Sequence, residues 1–378
     1  MKTVIIGAGI GGLCTAIALQ KIGIEADIYE ASPVIKPVGA GLGLAANAIK
    51  AFQKIGIANE VMEAGRFLAT FSILDQQGRV ITQTDSLAVS QRYGLDNFTI
   101  HRADLHRILL NHLDSRRIFT NKRAVSIEQL GSQTSILFQD GTTCLADRLI
   151  VADGIHSPIR QQLRPDAKPR YAGYTCWRAV VDNSQLNIQE ATETWGTAGR
   201  IGFVPLANNQ LYWFACVNAP QQDARLKQFS VKDLQHHFRG YHHPVAAVLE
   251  QTRNEQLLHN DIIDLAPLSQ YAYGTILLLG DAAHATTPNM GQGACQAIED
   301  AAVLADELRN EANTAVAFKR FEQRRLDRTH FIVNQSRRIG QVAQLENRFL
   351  ASLRNGLMRL LPPKVNEQQL EKLYTVDF

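Results

Sequence analysis

The sequence predicts an α/β fold in which a Rossmann-like domain is interleaved with a β-sheet-rich domain and followed by C-terminal helices. Three features lead there. The apolar run at 3–6 passes through closely spaced glycines into a helical pattern, as a buried parallel strand does when it enters a helix. A second strand, glycine-rich turn and helix lie at 275–308. Between them, residues 171–217 are rich in β-branched and aromatic side chains and hold all three tryptophans. With α/β material on both sides of a β-rich middle, the two domains are discontinuous in the chain.

Composition bounds the answer. At 378 residues the chain has room for two domains at a typical size of about 150 residues. A hydrophobic share of 45% against 20% charged residues supports large cores, which excludes a mainly disordered, collagen-like or coiled-coil protein. Lys and Arg total 39 against 36 Asp and Glu, a net charge of +3, too small and too dispersed for a nucleic-acid partner. Cys14, Cys144, Cys176, Cys216 and Cys295 are scattered singly, with no metal-ligand spacing, so no metal is expected and a reduced, cytoplasmic protein is. The uncharged stretch after Lys2 imitates a leader, but Gly7, Gly9, Gly11 and Gly12 interrupt it. No segment reaches 18 consecutive apolar residues, so no transmembrane span is expected.

Along the chain, 3–6, 13–22 and 26–29 read as one βαβ unit. Residues 45–64 read as helix broken at Gly56, and 67–74 with 80–84 as antiparallel strands around Gln76-Gln77-Gly78. Helix returns at 101–113. Strands follow over 123–151 with an Asp140-Gly141 turn, a strong hairpin signal. After the β-rich middle come a helical stretch at 231–253, a strand at 275–279, a helix at 293–308, a long helix at 315–345 and an amphipathic tail at 346–361. The domain division that follows is 1–66, 95–170 and 270–345 for the Rossmann-like part, 67–94 and 171–269 for the β-rich part, and 346–378 for the helical tail.

Three motifs carry chemistry. The first, Gly7-Ala8-Gly9-Ile10-Gly11-Gly12, is a GxGxxG between strand and helix. Its glycines allow a tight turn, close approach to a pyrophosphate and close helix packing, and the helix N-terminus favours the phosphate charge. Glu30, at the end of the second strand, can accept from ribose hydroxyls. This motif alone leaves FAD and NAD both open. The second motif is Asp153-Gly154-Ile155-His156-Ser157-Pro158-Ile159-Arg160, after an apolar strand. The third is Gly280-Asp281-Ala282-Ala283-His284, then Pro288-Asn289-Met290-Gly291-Gln292-Gly293-Ala294. Its acid can bind a sugar hydroxyl, and its glycines let backbone N–H groups lie against a flat ring.

Together and in this order the motifs resemble those of the group A flavoprotein monooxygenases, the p-hydroxybenzoate hydroxylase-like family, over nearly the whole chain. The resemblance selects FAD as the bound nucleotide and implies NADH or NADPH as a transient co-substrate. By that resemblance Gly7, Gly9, Gly12 and Glu30 match the ADP-binding fingerprint and Arg102 an arginine that contacts FAD. Asp153 and Gly154 match the motif serving FAD and NAD(P)H, and Asp281 the acid that holds the ribityl chain. FAD contacts are further implied at Val125 and at Gly291, Gln292, Gly293 and Ala294. Within the family the likeness is nearest to urate, 3-hydroxybenzoate and salicylate hydroxylases and to zeaxanthin epoxidases. Arg200 and Tyr212 match positions that hold substrate in the urate hydroxylases, although those enzymes have an acid where this sequence has Asn289.

The implied reaction hydroxylates a small aromatic or heteroaromatic substrate with O2 through a flavin C4a-hydroperoxide, in a pocket that must exclude water. The alternatives are an epoxidase or hydroxylase of a polyene or other non-aromatic compound, and a non-oxygenating FAD-binding redox protein. Arg200 is the candidate cation for stabilising a phenolate, with Tyr212 beside it. Side chains alternate along strands, so an even two-residue turn at Asn208-Asn209 puts these two on opposite faces and an odd loop puts them together. His236-His237 and His242-His243, and the helically spaced Arg320, Arg324, Arg325 and Arg328, read as solvated faces. His284 reads as structural. Leu353, Leu357, Leu360 and Leu361 are expected to pack on the body. The chain is expected to be a monomer or homodimer.

Overall fold

The computed structural model describes residues 1–35, 40–85, 97–360, 373–376 and 378. Thr3–Ile6, buried throughout, sits inside a six-stranded sheet. The strand order is Ala272–Tyr273, Ile276–Leu278, Arg148–Val151, Thr3–Ile6, Ala26–Tyr29, Ile118–Phe119. All are parallel except the first. Unbroken apolar runs suit this place, because both faces of a parallel sheet are covered. Helix Ile10–Lys21 packs closely on helix Gly293–Asn310 against the sheet, and Gly11 leaves room for Ala297 and Leu279. A three-stranded antiparallel sheet, Ala124–Leu130, Gln133–Phe138 and Thr143–Ala146, adds the hairpin at Asp140-Gly141, where Gly141 has φ 81°.

A seven-stranded sheet forms the second layer, ordered Leu258–Leu265, Pro169–Asp182, Gln210–Asn218, Gly199–Pro205, Ala191–Gly196, Thr70–Asp75, Val80–Asp85. Its one parallel pairing joins Ala191–Gly196 to Thr70–Asp75. Alternation splits the sheet's side chains between two faces. Trp177, Phe203 and Trp213 face helices Val231–His237 and Val245–Glu250 in a closed apolar core. Tyr174, Cys176, Arg200, Tyr212 and Cys216 lie on the opposite face, towards the Rossmann-like part. A small sheet of Gly41–Leu44, Phe98–His101 and Arg66–Phe67 lies beside the junction.

Four expectations need correction. The stretch 231–253 is two helices, because Gly240 and Pro244 interrupt it. His237 and His242 are half-buried, bonded to the Ala198 carbonyl (2.6 Å) and the Thr194 hydroxyl (2.8 Å), so only His236 and His243 are exposed. On the long helix Thr314–Ala343, Arg325 is wholly buried and Arg328 largely so, since Glu299 and Asp300 on the neighbouring helix face them. The last helix, Arg348–Arg359, is turned the other way from the expected one. Ala351 and Arg354 point inward, while Leu353, Leu357 and Leu360 are exposed; Leu361 lies outside the described residues. Arg354 wins the inward place by donating to the Val342 and Ala343 carbonyls and lying over Trp195. No helix among the described residues is long and apolar enough to cross a membrane.

Candidate active site

Three separate passages meet at the C-terminal ends of the parallel strands. Gly7 turns the chain with φ 103° and donates its N–H to the Tyr29 carbonyl (2.8 Å). A Cβ at Gly7 would strike the Ala152 carbonyl, and one at Gly12 the Gly7 carbonyl, while a Cβ at Gly9 would meet nothing. Gly7 and Gly12 therefore serve close packing, and Gly9 keeps the cleft floor bare. The Glu30 carboxylate accepts from the Ala8 and Ser32 N–H groups, both at 2.8 Å, which fixes it beside the turn.

Asp153 follows strand Arg148–Val151. Both its carboxylate oxygens are buried without a hydrogen-bond partner among the described residues. Burial pushes its carboxyl up to about 6, against the smaller pulls of Ser157 and Arg160. Arg160, fully buried, donates to the Ile155 carbonyl at 2.5 Å, Ala167 at 3.3 Å and Ala282 at 3.4 Å. It thereby ties the Asp153 turn to the helical turn that starts at Asp281. Asp281 opens onto the cleft but is ringed by protein, so burial raises its carboxyl above the usual range, with His284 and Arg102 acting against it. Gly280, at φ 60°, donates its N–H to Asp300 (2.9 Å). Asp300 also holds His284 (2.7 Å) and Arg325 (2.7 Å). Burial alone would raise this carboxyl; His284 and Arg325 bring it down to about 2.

The loop before helix Gly293–Asn310 rests on the same network. Gln292 is buried, and its side-chain oxygen accepts from Asn47 and Gln296, each at 3.0 Å. Asn47 and Gln296 also donate to Glu299, which Arg325 and Arg328 clamp from the far side. The helix N-terminus, whose first N–H groups have no partner within the helix and which carries a positive dipole end, is thus held at the cleft wall.

The opposite wall is the seven-stranded sheet. Pairing runs Arg200 to Cys216 and Val204 to Tyr212, and Leu206 N–H meets the Gln210 carbonyl (2.8 Å). The loop is therefore the three residues Ala207, Asn208 and Asn209, the odd case, with both asparagines at positive φ. Arg200 and Tyr212 consequently share one face. Arg200 is 2% exposed. It donates through Nη1 to Glu193 (3.0 Å) and through Nη2 to Asn289, and it lies 5.2 Å over the Tyr174 ring. Tyr174 donates its hydroxyl to Asn289 (3.1 Å). Burial raises the Tyr174 and Tyr212 phenols, so both stay protonated near neutral pH.

One cleft of about 810 Å³ joins the two walls, a size that suits a ligand site. It is lined by Gly7, Gly9, Glu30, Arg102, Asp153, Gly154, Asp281, Gly291, Gln292, Gly293, Ala294, Arg200 and Tyr212. Gly12 lies beneath it, and Val125 is exposed on a strand whose neighbours Arg123 and Ala124 reach the cleft. Sequence reasoning missed Glu193, Tyr174 and Asn47 as parts of this site. An alternating strand gives no sign of which face is wet. The one usable signal was an acid, Glu193, in the otherwise uncharged strand Ala191–Gly196.

These residues fit FAD on their own chemistry. A bare glycine floor under a helix N-terminus suits a pyrophosphate, and the orphaned Asp153 oxygens await a donor. A dinucleotide with hydroxyls to give supplies both. The family model described as "FAD binding domain" matches residues 1–336. The chain belongs to the FAD-binding domain family. It is a flavoprotein monooxygenase with the p-hydroxybenzoate hydroxylase-like fold. Aurachin C monooxygenase/isomerase of Stigmatella aurantiaca is 36% identical over 367 residues, covering 96% of this chain and 94% of the relative. The 2-heptyl-3-hydroxy-4(1H)-quinolone synthase of Pseudomonas aeruginosa is 34% identical, covering 99% and 98%. Among solved structures, Klebsiella pneumoniae HpxO complexed with FAD and uric acid superposes with a TM-score of 0.91 at 30% identity, covering 99% of this flavoprotein and 96% of that chain.

Proposed function

We propose that this protein hydroxylates an aromatic or heteroaromatic ring with O2 and NADH or NADPH, the ring lying between the flavin and the Arg200–Tyr212 wall. The observation that carries this reading is the single cleft with cofactor-type groups on one wall and a buried cation with phenols on the other. On this reading residues 1–66, 95–170 and 270–345 hold the cofactor, and 67–94 with 171–269 hold the substrate. Five buried free cysteines suit a reducing compartment such as the cytoplasm.

Bound FAD supplies two-electron reduction by NAD(P)H and the activation of O2. Gly7, Gly9, Glu30, Arg102, Asp153 and Asp281 would hold its phosphates and sugars, and Gly291–Ala294 would hold the ring. The chain does the rest. Phe71, Val204, Phe214 and Ile262 line the substrate side and exclude water from the reacting ring. Tyr212, kept protonated, offers a hydroxyl for orientation. Arg200 stays charged although burial works against it, because the Glu193 carboxylate 3.0 Å away raises its pKa.

The test is direct. Purified protein should be yellow, and aromatic acids, purines and quinolones should be screened for stimulated NAD(P)H oxidation, with products checked by mass. A hit must gain one oxygen atom. Protein that stays colourless with excess FAD, or oxidation that no ring compound accelerates, overturns the reading.

A further inference from the structure

The substrate wall carries a second charge that the Arg200 motif does not announce. Glu193 and Arg200 come from adjacent antiparallel strands and form an ion pair at 3.0 Å, both side chains nearly buried. Glu193 accepts from Trp195 Nε1 at 3.0 Å as well, which holds the carboxylate in place. The second arm of the guanidinium is bound to Asn289. That amide is itself committed, donating to the Thr287 hydroxyl and the Ser336 carbonyl, each at 2.8 Å, so its oxygen is the end offered to Arg200. Two of the five N–H groups of Arg200 are thus engaged; of its nitrogens, Nε is buried and has no partner among the described residues. Tyr174, Cys176 and Cys216 are the other side chains around the pair, and Arg178, further along the same wall, bonds to Asn260 rather than to an acid.

The consequence is electrostatic. A lone buried arginine invites a carboxylate or a ring anion; an arginine already matched by a buried carboxylate offers one no net charge. An anion placed here would bring a second negative charge beside Glu193 where water does not screen it. A neutral ring with a carbonyl oxygen meets no such charge, and its oxygen can accept from an Nη N–H that Glu193 and Asn289 leave unengaged on this cleft-lining arginine. The apolar walls at Phe71, Val204 and Phe214 suit the rest of such a ring.

We propose that Glu193 is a specificity-determining residue: by cancelling the charge of Arg200 it makes the site select an uncharged, carbonyl-bearing heteroaromatic ring over a carboxylated one. The inference rests on the reading that Arg200 and Tyr212 line the substrate side.

A matched pair of ligands tests it on the FAD-loaded protein: 4(1H)-quinolone and the same ring bearing a 2-carboxylate. Dissociation constants come from perturbation of the flavin absorbance, and the flavin spectrum of each variant reports an intact fold. The wild type should bind the neutral ring at least tenfold more tightly. Glu193→Gln, which keeps the hydrogen bonds and removes the charge, should tighten carboxylate binding at least tenfold and move the neutral ring by less than about threefold. Glu193→Asp, which keeps the charge, should restore the preference. Equal or tighter carboxylate binding by the wild type overturns the proposal, as does a ratio that Glu193→Gln leaves unchanged. Tyr212→Ala separates the two levels. If it weakens both ligands while the Glu193→Gln ratio stays fixed, the pocket stands and the charge assignment falls. If neither Tyr212→Ala nor Glu193→Gln affects either ligand, or neither ligand binds, the pocket reading fails and this inference with it.

Discussion

At the scale of single residues, the glycine motif divides into positions with different physics. A Cβ at Gly12 would run into the Gly7 carbonyl, which is backbone and cannot yield without moving the turn. Gly9 has ordinary φ, −74°, and open space around it. Gly12→Ala should therefore destabilise the FAD-free protein by about 2 kcal/mol or more, in the range of overpacking. Gly9→Ala should leave urea stability within about 0.5 kcal/mol and instead weaken FAD binding at least tenfold. Equal stability losses in the two variants would show that the cleft floor is not bare. Asp153 makes a pH prediction. Its folded pKa of about 6 stands above the unfolded value of 3.8, so the folded state holds the proton more tightly. The stability this lends is full below the unfolded pKa and is lost as pH rises through the folded one. FAD-free wild type should lose about 2.4 kcal/mol between pH 4 and 7.5 that Asp153→Asn does not, because each unit is worth about 1.4 kcal/mol and pH 4 already lies just above the unfolded pKa. Urea midpoints at both pH values give the comparison, and a wild-type-to-variant difference that does not change with pH refutes it.

At the scale of elements, burial decides what a charge pattern means. Four arginines at helical spacing on 320–328 look solvated in isolation, since nothing local reveals that Glu299 and Asp300 on another helix will face two of them. The clue lay in that other helix: two adjacent acids in an otherwise uncharged run over 294–305 need buried partners. Arg325→Ala would leave Glu299 to Arg328 and Asp300 to His284 and the Gly280 N–H, each buried acid short of one partner, and we expect a cost of about 3 kcal/mol. Leu357→Ser on the exposed face of the last helix should cost about 0.5 kcal/mol. Urea denaturation of the two variants ranks them, and a reversed order would place the last helix the other way round. The hairpin at 207–209 shows a different gap in legibility. Strand identity was readable from composition, but the parity of Arg200 and Tyr212 turned on one residue of loop length, and two adjacent asparagines do not state whether a third residue joins the turn. Asn289 and Glu193 were unreadable as partners for a similar reason, because 96 residues separate them and Arg200 brings them together. By contrast, the βαβ unit and the three turns that converge on the cleft were legible, because glycines after buried strands have few other uses.

For the whole molecule, the cleft belongs to two layers with separate apolar cores, one around the parallel sheet and one behind the seven-stranded sheet. Polar ties cross between them: Asp264, fully buried at the end of its strand and held within its sheet by Arg170 (3.0 Å), accepts across the junction from Arg337 (2.9 Å) on the long helix, and the Thr99 hydroxyl donates to the Pro205 carbonyl (2.7 Å). A ligand that binds only when these layers are assembled must stabilise the assembly by mass action. FAD at a hundred times its Kd should add about 2.7 kcal/mol. With about 2.1 cal/mol/K of unfolding entropy per residue, that is a rise in Tm of about 3 °C. The rise should grow with FAD concentration. Glu193→Gln should show the same rise as the wild type, because Glu193 stands on the substrate wall, whereas Gly9→Ala should need more FAD to reach it. Thermal melts across an FAD titration decide the matter: a Tm indifferent to FAD would separate the cleft from the cofactor, and a rise lost in Glu193→Gln would mean that the two walls do not divide the work as their residues indicate.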